Sequence, residues 1–468
     1  MSAEKLAILG GQPLRKKPFK LEPRIDQDEE LMVLDAIRKK NFSRYIGSSS
    51  LDIEELLIMS SAEAAKLSSD WNFLGGENVR LFAAEFAEKF KVKYAIPINS
   101  ATSGLSVALA ASGIGPRDEV IVPALSFTAT GTSALMFNSI PVFVDVDPKT
   151  FCIDPVSVKK KITSRTKAIL PVHLLGNSCD MDALMQIANQ YRLKIIEDCA
   201  QSPGVLYKDK YVGAIGDAGV FSFQQSKNIT TGEGGMIITD NPEIARRVRL
   251  IMNHGEAVME DHHSVEELAN TFGFNFRMPE LCAALGRAQL KKLDLVNQKR
   301  NENFQFLVDH LDGINGFTAP YIPKEVTYVC HIAGFLYDFQ KIGLPRDLFL
   351  AALRAEGIPT GSGYIRLMYQ NPFFLRRAAY GKESCPWFCA EKHSDVTYQN
   401  GQCPVAEDLI GEKFLWFYHI AHPSTLEDMR DVVSAVKKVL KNRNSLLKCA
   451  DEILNTGAGN KAQGRILQ

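Results

Sequence analysis

Short apolar runs alternate with helical periodicity through the middle of the chain. Seven runs read as strands: Tyr94–Ile98, Glu119–Pro123, Val142–Asp145, Ala168–Val172, Lys194–Glu197, Val220–Phe223 and Met236–Thr239. Helical spacing fills most of the intervals, at Ser103–Ser112, Thr128–Phe137, Pro155–Lys161 and Asp180–Tyr191. Short buried strands alternating with helices predict an α/β fold with a mostly parallel sheet covered on both faces. Pro242–Asn253 and Pro279–Leu311 follow as helices, each opening on a proline that a first helical turn tolerates. Past residue 325 the pattern turns mixed, with elements at Ile332–Tyr337, Leu348–Glu356 and Leu426–Lys441, and predicts a smaller α+β C-terminal domain.

The N-terminal part is less regular. Residues 1–30 are rich in Lys, Arg and Pro and read as an extended arm. Glu29–Lys40 has helical spacing, and a helix-like run covers Ser50–Ser68. Gly75-Gly76-Glu77 opens a helix over Val79–Phe90 that places Phe82, Phe86 and Phe90 on one face. The expected division is 1–90 for the arm and first helices, 91–325 for a large domain, 326–445 for a small one and 446–468 for a flexible tail.

Two stretches carry chemistry. Val220–Thr239 encloses Ser222, Lys227 and the turn Gly232–Gly235 between two buried strands. A lysine held near the interior loses part of its preference for the charged form and becomes a nucleophile; the plain alternative is a solvated loop lysine. Upstream, the strand Lys194–Glu197 ends at the carboxylates Glu197 and Asp198. The ends of such strands open on the crevice where α/β sheets bind ligands. A lysine that holds an aldehyde and a strand-end aspartate that keeps a pyridine nitrogen protonated are what pyridoxal 5′-phosphate chemistry requires. Ser100–Gly104 follows a strand and opens a helix, where free backbone N–H groups favour a phosphate; taken alone it is a capping signal. Phe127 follows Glu119–Pro123 and could stack on a ring or belong to the core. His173, after Ala168–Val172, is placed to touch a ligand or to serve the fold.

Composition narrows the classes. The chain has 468 residues and zero net formal charge, so no basic excess draws it to nucleic acid or an anionic membrane. No apolar run approaches the ~20 residues that span a bilayer. The N-terminus lacks the plan of a signal peptide, and nine cysteines without CxxC spacing suit a reducing cytoplasm. Cys385, Cys389, His393 and Cys403 match no common zinc spacing and are expected to be ordinary loop and core groups, so no metal is expected. His262-His263 reads as a solvated loop pair.

Several long stretches in register, among them "IIEDCAQSPG", "GDAGVFSFQQSKNITTGEGGMIITD" and "GFNFRMPELCAALGRAQL", resemble the DegT/DnrJ/EryC1/StrS family of sugar aminotransferases. So do "EVIVPALSFTATGTSALMFNSIPVFVDVDPKTFCID" and "ILPVHLLGNSCDMDAL". The resemblance implies the fold type I of pyridoxal-phosphate transferases and a homodimer with shared active sites. It implies that Lys227 carries the cofactor, that Asp198 meets the ring nitrogen and that Phe127 stacks on the ring. Ala101, Thr102 and Ser222 would take the cofactor phosphate, Gln201 would reach the ring hydroxyl side, and Asn275 would reach the phosphate in the partner's site. Relatives with histidine in place of this lysine are dehydratases, so Lys227 argues for transamination. The implied substrates are glutamine or glutamate as amino donor and a keto sugar or keto-cyclitol as acceptor. "RLMYQNPFF" and the segment from Cys403 to Pro423 are similar to the branch with scyllo-inosose aminotransferases and aminohydroxybenzoate synthases. Arg44, Arg277 and Arg366 are candidates for the donor carboxylate, each also readable as a solvated arginine. Against the family pattern, Ser48–Asp70 is an insertion, expected to cover the site or extend an interface. The alternatives are a pyridoxal-phosphate dehydratase or synthase on the same scaffold and a non-catalytic regulator.

Overall fold

A computed structural model describes residues 4–45, 53–68, 73–255, 272–363, 366–380, 385–389 and 392–455. His262-His263 lies outside them. The central sheet has seven strands: β1 (Tyr94–Ile98), β2 (Glu119–Pro123), β3 (Ile140–Val144), β4 (Thr166–Ile169), β5 (Lys194–Asp198), β6 (Ala218–Ser222) and β7 (Gly235–Thr239). Their spatial order is β1-β7-β6-β5-β4-β2-β3. The strands β2 to β6 pair in parallel, and β7 runs against both of its neighbours. Every residue of β1, β2, β3, β6 and β7 is buried, because helices and loops cover both faces.

The helices form where sequence chemistry allows. The helix Glu77–Phe90 starts after Gly75 and Gly76, and the Glu280 carboxylate accepts from the Asn78 and Val79 N–H groups at 2.9 and 3.1 Å. That carboxylate supplies the cap that glycine lacks. Phe82, Phe86 and Phe90 are buried along one face; Phe86 stacks on Phe90 at 4.3 Å and meets Phe221 of β6 edge-on at 5.2 Å. The long helix Glu280–Leu311 serves two cores: Leu290 and Leu293 pack under the central sheet, whereas Phe304, Leu307 and Leu311 pack with the C-terminal elements. Those elements form a three-stranded antiparallel sheet, Phe317–Thr318, Ala333–Tyr337 and Phe414–Phe417, backed by the helices Arg346–Ala355 and Leu426–Lys441.

Both edges of the central sheet are closed, as exposed edges would template aggregation. At β1, Ser61 Oγ accepts from Ala95 N at 2.8 Å and donates to Ala95 O at 3.1 Å. Near β3, the Tyr398 hydroxyl donates to Pro141 O at 2.7 Å.

Ser61 belongs to the insertion, which differs from the single helical run expected over Ser50–Ser68. Its described part is two short helices, Ile53–Ile58 and Ser61–Ala64, broken where Ser60 caps the second through a reciprocal bond with Glu63. The Arg249 guanidinium, buried, donates to the carbonyls of Leu56, Leu57 and Met59 at 2.7–3.0 Å and so ends the first helix. Burial lowers its pKa to about 10. Arg249→Met is expected to destabilise the protein by about 2–3 kcal/mol, since three carbonyls lose a charged donor. An unchanged urea midpoint would show that the insertion is held by other contacts.

The arm is extended, as expected, but pinned. Leu6 is fully buried in the C-terminal core. The buried Glu356 carboxylate accepts from Ala7 N and Leu14 N at 2.8 Å and pairs with Lys438 at 2.9 Å. Arg15 bridges Asp428 and Asp431, each at 2.7 Å. Residues 446–455, expected to belong to a flexible tail, are largely helical instead. Residues 443–455 form two short helices whose Leu446 and Ile453 are buried, because these apolar positions find the C-terminal core. Of the four grouped cysteine and histidine positions, Cys385 is disulfide-bonded rather than a free loop thiol, and Cys403 is free and buried. The side chains of Cys389 and His393 lie outside the description.

Candidate active site

The parallel strands deliver their C-terminal ends to one edge, and the residues of interest collect there. After β1, Ser100 caps the helix Ala101–Ala111 by accepting from Ser103 N at 3.2 Å, which leaves the first helical N–H groups pointing outward. The start of β7 passes close by. A Cβ built on Gly235 would lie 2.8 Å from Ala101 N, so only glycine permits this approach. After β2, Phe127 is 63% exposed although it sits beside buried neighbours. Ser222 ends β6 and is nearly buried.

Asp198 ends β5. Its Oδ2 accepts from the Thr130 hydroxyl at 3.0 Å and its Oδ1 from Ala200 N at 3.1 Å. Burial pushes its pKa up, against these bonds and the nearby charge of Lys227. Glu197, one residue earlier, points to the opposite face by strand alternation. It accepts from the Gly213, Ile215 and Gly216 N–H groups at 2.7–2.9 Å and meets His173 Nε2 at 2.9 Å. His173 is wholly buried, with Cys179 N donating to its Nδ1 at 3.2 Å. Both ring nitrogens are therefore occupied, and the fold-serving reading of this histidine holds. Gln201 is buried and accepts from Leu175 N at 2.8 Å.

Lys227 sits in the loop between β6 and β7, half-exposed toward a pocket but surrounded by protein elsewhere. Burial lowers its amine to about pH 8; the Asp198 charge opposes that shift and Arg300 adds to it. Its neighbour Asn228 is locked in a buried network. The Asn228 amide donates to Asn297 at 2.9 Å, the Asn297 amide donates to Pro203 O at 2.8 Å, and His331 Nδ1 lies 3.2 Å from Asn228 Oδ1. Burial keeps the His331 ring far below its usual pKa, so it is neutral and donates from Nδ1. This network ties the lysine loop to the segment just after Asp198.

The pocket beside Lys227 holds about 950 Å³. Its walls are Gln224–Lys227, Arg300 of the long helix, the arm between Arg15 and Pro23, and the turn at Ile358. Ala101, Thr102, Phe127, Asp198, Gln201 and Ser222 do not line it; of these expected cofactor residues Lys227 alone does. Arg44, Arg277 and Arg366 do not line it either. Arg277 instead donates to Asn275 at 2.9 Å and to Asn253 at 3.2 Å. Asn275 is exposed and away from this pocket.

The model of the DegT/DnrJ/EryC1/StrS aminotransferase family matches residues 58–396. The chain belongs to this family. The aminotransferase is 33% identical over 459 residues to the L-glutamine:2-deoxy-scyllo-inosose aminotransferase of Streptomyces lividus, covering 94% of this chain and 98% of that one. It is 36% identical over 326 residues to the spore coat polysaccharide biosynthesis protein SpsC of Bacillus subtilis, covering 68% and 83%. Among solved structures it is similar to the aminotransferase from Psychrobacter cryohalolentis, with a TM-score of 0.73 and 29% identity, covering 91% of this chain and all of that one. The fold is that of pyridoxal-phosphate aminotransferases of fold type I, and the cofactor is pyridoxal 5′-phosphate. The residues present fit that group: a glycine cradle at a helix start, an uncovered aromatic ring, a buried carboxylate and a lysine of lowered pKa stand at one sheet edge.

Thr130, Arg300 and the Asn228–Asn297–His331 network escape sequence reading. Thr130 alone leaves a trace, one turn into the helix that Phe127 opens.

The lowered amine has a kinetic consequence. A free amine captures an aldehyde only when unprotonated, so capture of pyridoxal 5′-phosphate by the apoenzyme should accelerate as pH rises, with a midpoint near 8. Stopped-flow absorbance checks this; a midpoint near that of free lysine would show an unperturbed amine.

Proposed function

We propose that this aminotransferase moves an amino group from glutamine or glutamate to a keto-cyclitol or keto sugar. Lys227 and Asp198 form the catalytic pair. The observation that carries this reading is the pair itself, a lysine of lowered pKa and a buried carboxylate that feel each other's charge. When bound, pyridoxal 5′-phosphate supplies an aldehyde and a pyridine ring that takes up electron density. Asp198, steadied by Thr130 and Ala200, would keep a proton on the ring nitrogen. The Lys227 amine would hold the aldehyde and, when free, would move a proton at the substrate carbon. Phe127 would offer its face to the ring, Gln201 would serve the ring hydroxyl side, and the N–H groups of Ala101 and Thr102 with the Ser222 hydroxyl would receive the phosphate. Similarity to a glutamine-dependent scyllo-inosose enzyme over 94% of the chain supports glutamine and a cyclitol.

The test is a two-stage assay. Glutamine or glutamate is first added to the holoenzyme and the cofactor absorbance followed; a panel of keto-cyclitols and keto sugars is then screened for amino products. Loss of water or ammonia from a substrate with no amino transfer would favour the dehydratase or synthase, and no turnover at all the regulator.

The same reading includes a cytoplasmic homodimer. Seven described cysteines are free, in favour of a reducing compartment, whereas the disulfide at Cys385 counts against one. Among the described residues no helix is long and apolar enough to cross a membrane. Asn275, exposed and away from its own chain's pocket, is assigned to the partner's cofactor phosphate. Lys227→Ala and Asn275→Ala chains, each inactive, should regain activity when mixed under subunit exchange, since one site of the mixed dimer is intact. Demonstrated exchange without recovery would place Asn275 in its own chain's site.

A further inference from the structure

One wall of the pocket beside Lys227 is held differently from the rest. It is the part of the arm from residue 16 to residue 23. The chain is fixed on either side of it. Before it, Leu14 N donates to the Glu356 carboxylate at 2.8 Å and Arg15 N to the Glu356 carbonyl at 3.0 Å, and Arg15 carries its two carboxylate pairs. After it, the Gln289 amide donates to Arg24 O at 2.7 Å, and Lys292 pairs with Asp26 and, at 2.6 Å, with Glu29. Between these clips the backbone is almost unpaired. Among the described residues, Glu22 N donates to His422 O at 3.4 Å, Lys17 O accepts from the Arg15 guanidinium at 2.7 Å, and no other backbone bond holds the segment. Pro18 and Pro23 have no N–H to give. A segment with so few bonds to the body of the protein loses little by lifting away from it.

The side chains follow the alternation of an extended chain. Phe19, Leu21 and Pro23 are half-buried and line the pocket, whereas Lys20 and Glu22 are exposed and pair with each other at 3.4 Å. Phe19 has a specific seat. The Arg15 guanidinium carbon lies 3.9 Å from its ring centroid and the His419 ring 5.6 Å away, and the ring packs on the edge of the C-terminal core. The two prolines keep Lys17 and Glu22 extended, so the segment moves as a stiff piece.

We propose that residues 16–23 are a strap that lifts to admit bulky ligands to Lys227 and closes over them, with Phe19 as its latch. The inference rests on the reading of Lys227 as the cofactor lysine, but not on amino transfer. The inner face of the strap is apolar, whereas the facing wall carries Gln224, Gln225, Ser226 and Lys227. Closure therefore puts hydrocarbon in place of water above the amine, which shields the reacting groups from hydrolysis and strengthens polar contacts beneath the strap. The clips at Arg15 and Arg24 stay shut throughout, because opening them would break charged bonds.

Carbonyl reagents test this on the holoenzyme, because they capture bound cofactor without any amino transfer. Hydroxylamine is small and phenylhydrazine bulky, and absorbance follows capture by each. Phe19→Ala removes the latch, and is expected to speed both capture by phenylhydrazine and trypsin cleavage after Lys20 by about fivefold at an unchanged melting temperature. Glu22→Cys with His422→Cys should lock the strap, since the bond between the two backbones puts them within reach of a disulfide. Once oxidised, this pair should slow phenylhydrazine about tenfold and leave hydroxylamine within about twofold, and a dithiol should reverse the effect. Phenylhydrazine capture and trypsin cleavage unchanged in Phe19→Ala overturn the inference, whether or not the engineered pair oxidises. Equal slowing of both reagents by the lock also overturns it, since the site itself would then be distorted. If neither reagent captures the cofactor, the Lys227 reading falls, and trypsin cleavage alone judges the strap. Failure of the ketone screen with gating intact would count against the amino-transfer reading alone.

Discussion

Lys227→Ala is expected to lower amino transfer by about 10⁴-fold, the upper range for a positioned acid–base group. Alanine removes both the amine that holds the aldehyde and the base that moves the proton, so no single downstream step can compensate. The binding contacts of the Ala101 helix start, Ser222 and Phe127 are untouched, so the variant should still take up cofactor, now without a covalent link. Borohydride reduction of the wild type followed by peptide mapping should fix the cofactor on Lys227, and the variant should yield no labelled peptide. A label on another lysine would sink the assignment. Small primary amines added to the variant should restore part of the proton transfer, because the space left by the side chain opens on the 950 Å³ pocket.

Asp198→Asn is expected to keep the cofactor and lose about 10²–10³-fold in activity, the usual cost of removing one preorganised electrostatic contact. The amide oxygen can still accept from Ala200 N, so the loop geometry should survive. What the amide cannot do is hold a proton on a pyridine nitrogen. Stability separates this from a structural defect. Burial raises the folded pKa of Asp198, so its ionisation works against the native state, and stability is lost as pH rises through its folded pKa. The variant apoenzyme should lack that loss and melt no lower than wild type at neutral pH. Near-normal turnover would show that another residue meets the ring nitrogen.

Much of the frame is legible in the chain because it depends on local pattern. Of the seven apolar runs, two became strands with the same ends and five became strands with an end moved by one to three residues, and Asp198 stood out in the sequence because strand ends face the crevice. Other features depend on contacts that pattern does not contain. Ser60 is the first of two serines after an apolar run, and only its cap on Glu63 N shows that the insertion breaks there. Arg300 sits on a long helix whose pattern does not mark it, yet it is buried and donates to His331 O. The two open readings of His173 were settled by Glu197, which alternation turned away from the site. The arm resembled a loose terminus because its partner, Glu356, lies more than 340 positions away.

That separation sets an order of events during synthesis. The arm leaves the ribosome before the strands, but its clasp needs Glu356, Asp428, Asp431 and Lys438. The strands that carry Asp198 and Lys227 can pair long before then, since domains fold as they emerge. A nascent chain can therefore possess its lysine loop while the pocket beside it has no outer wall. The arm, although translated before the strands, completes the cavity after them, once Asp428, Asp431 and Lys438 have emerged.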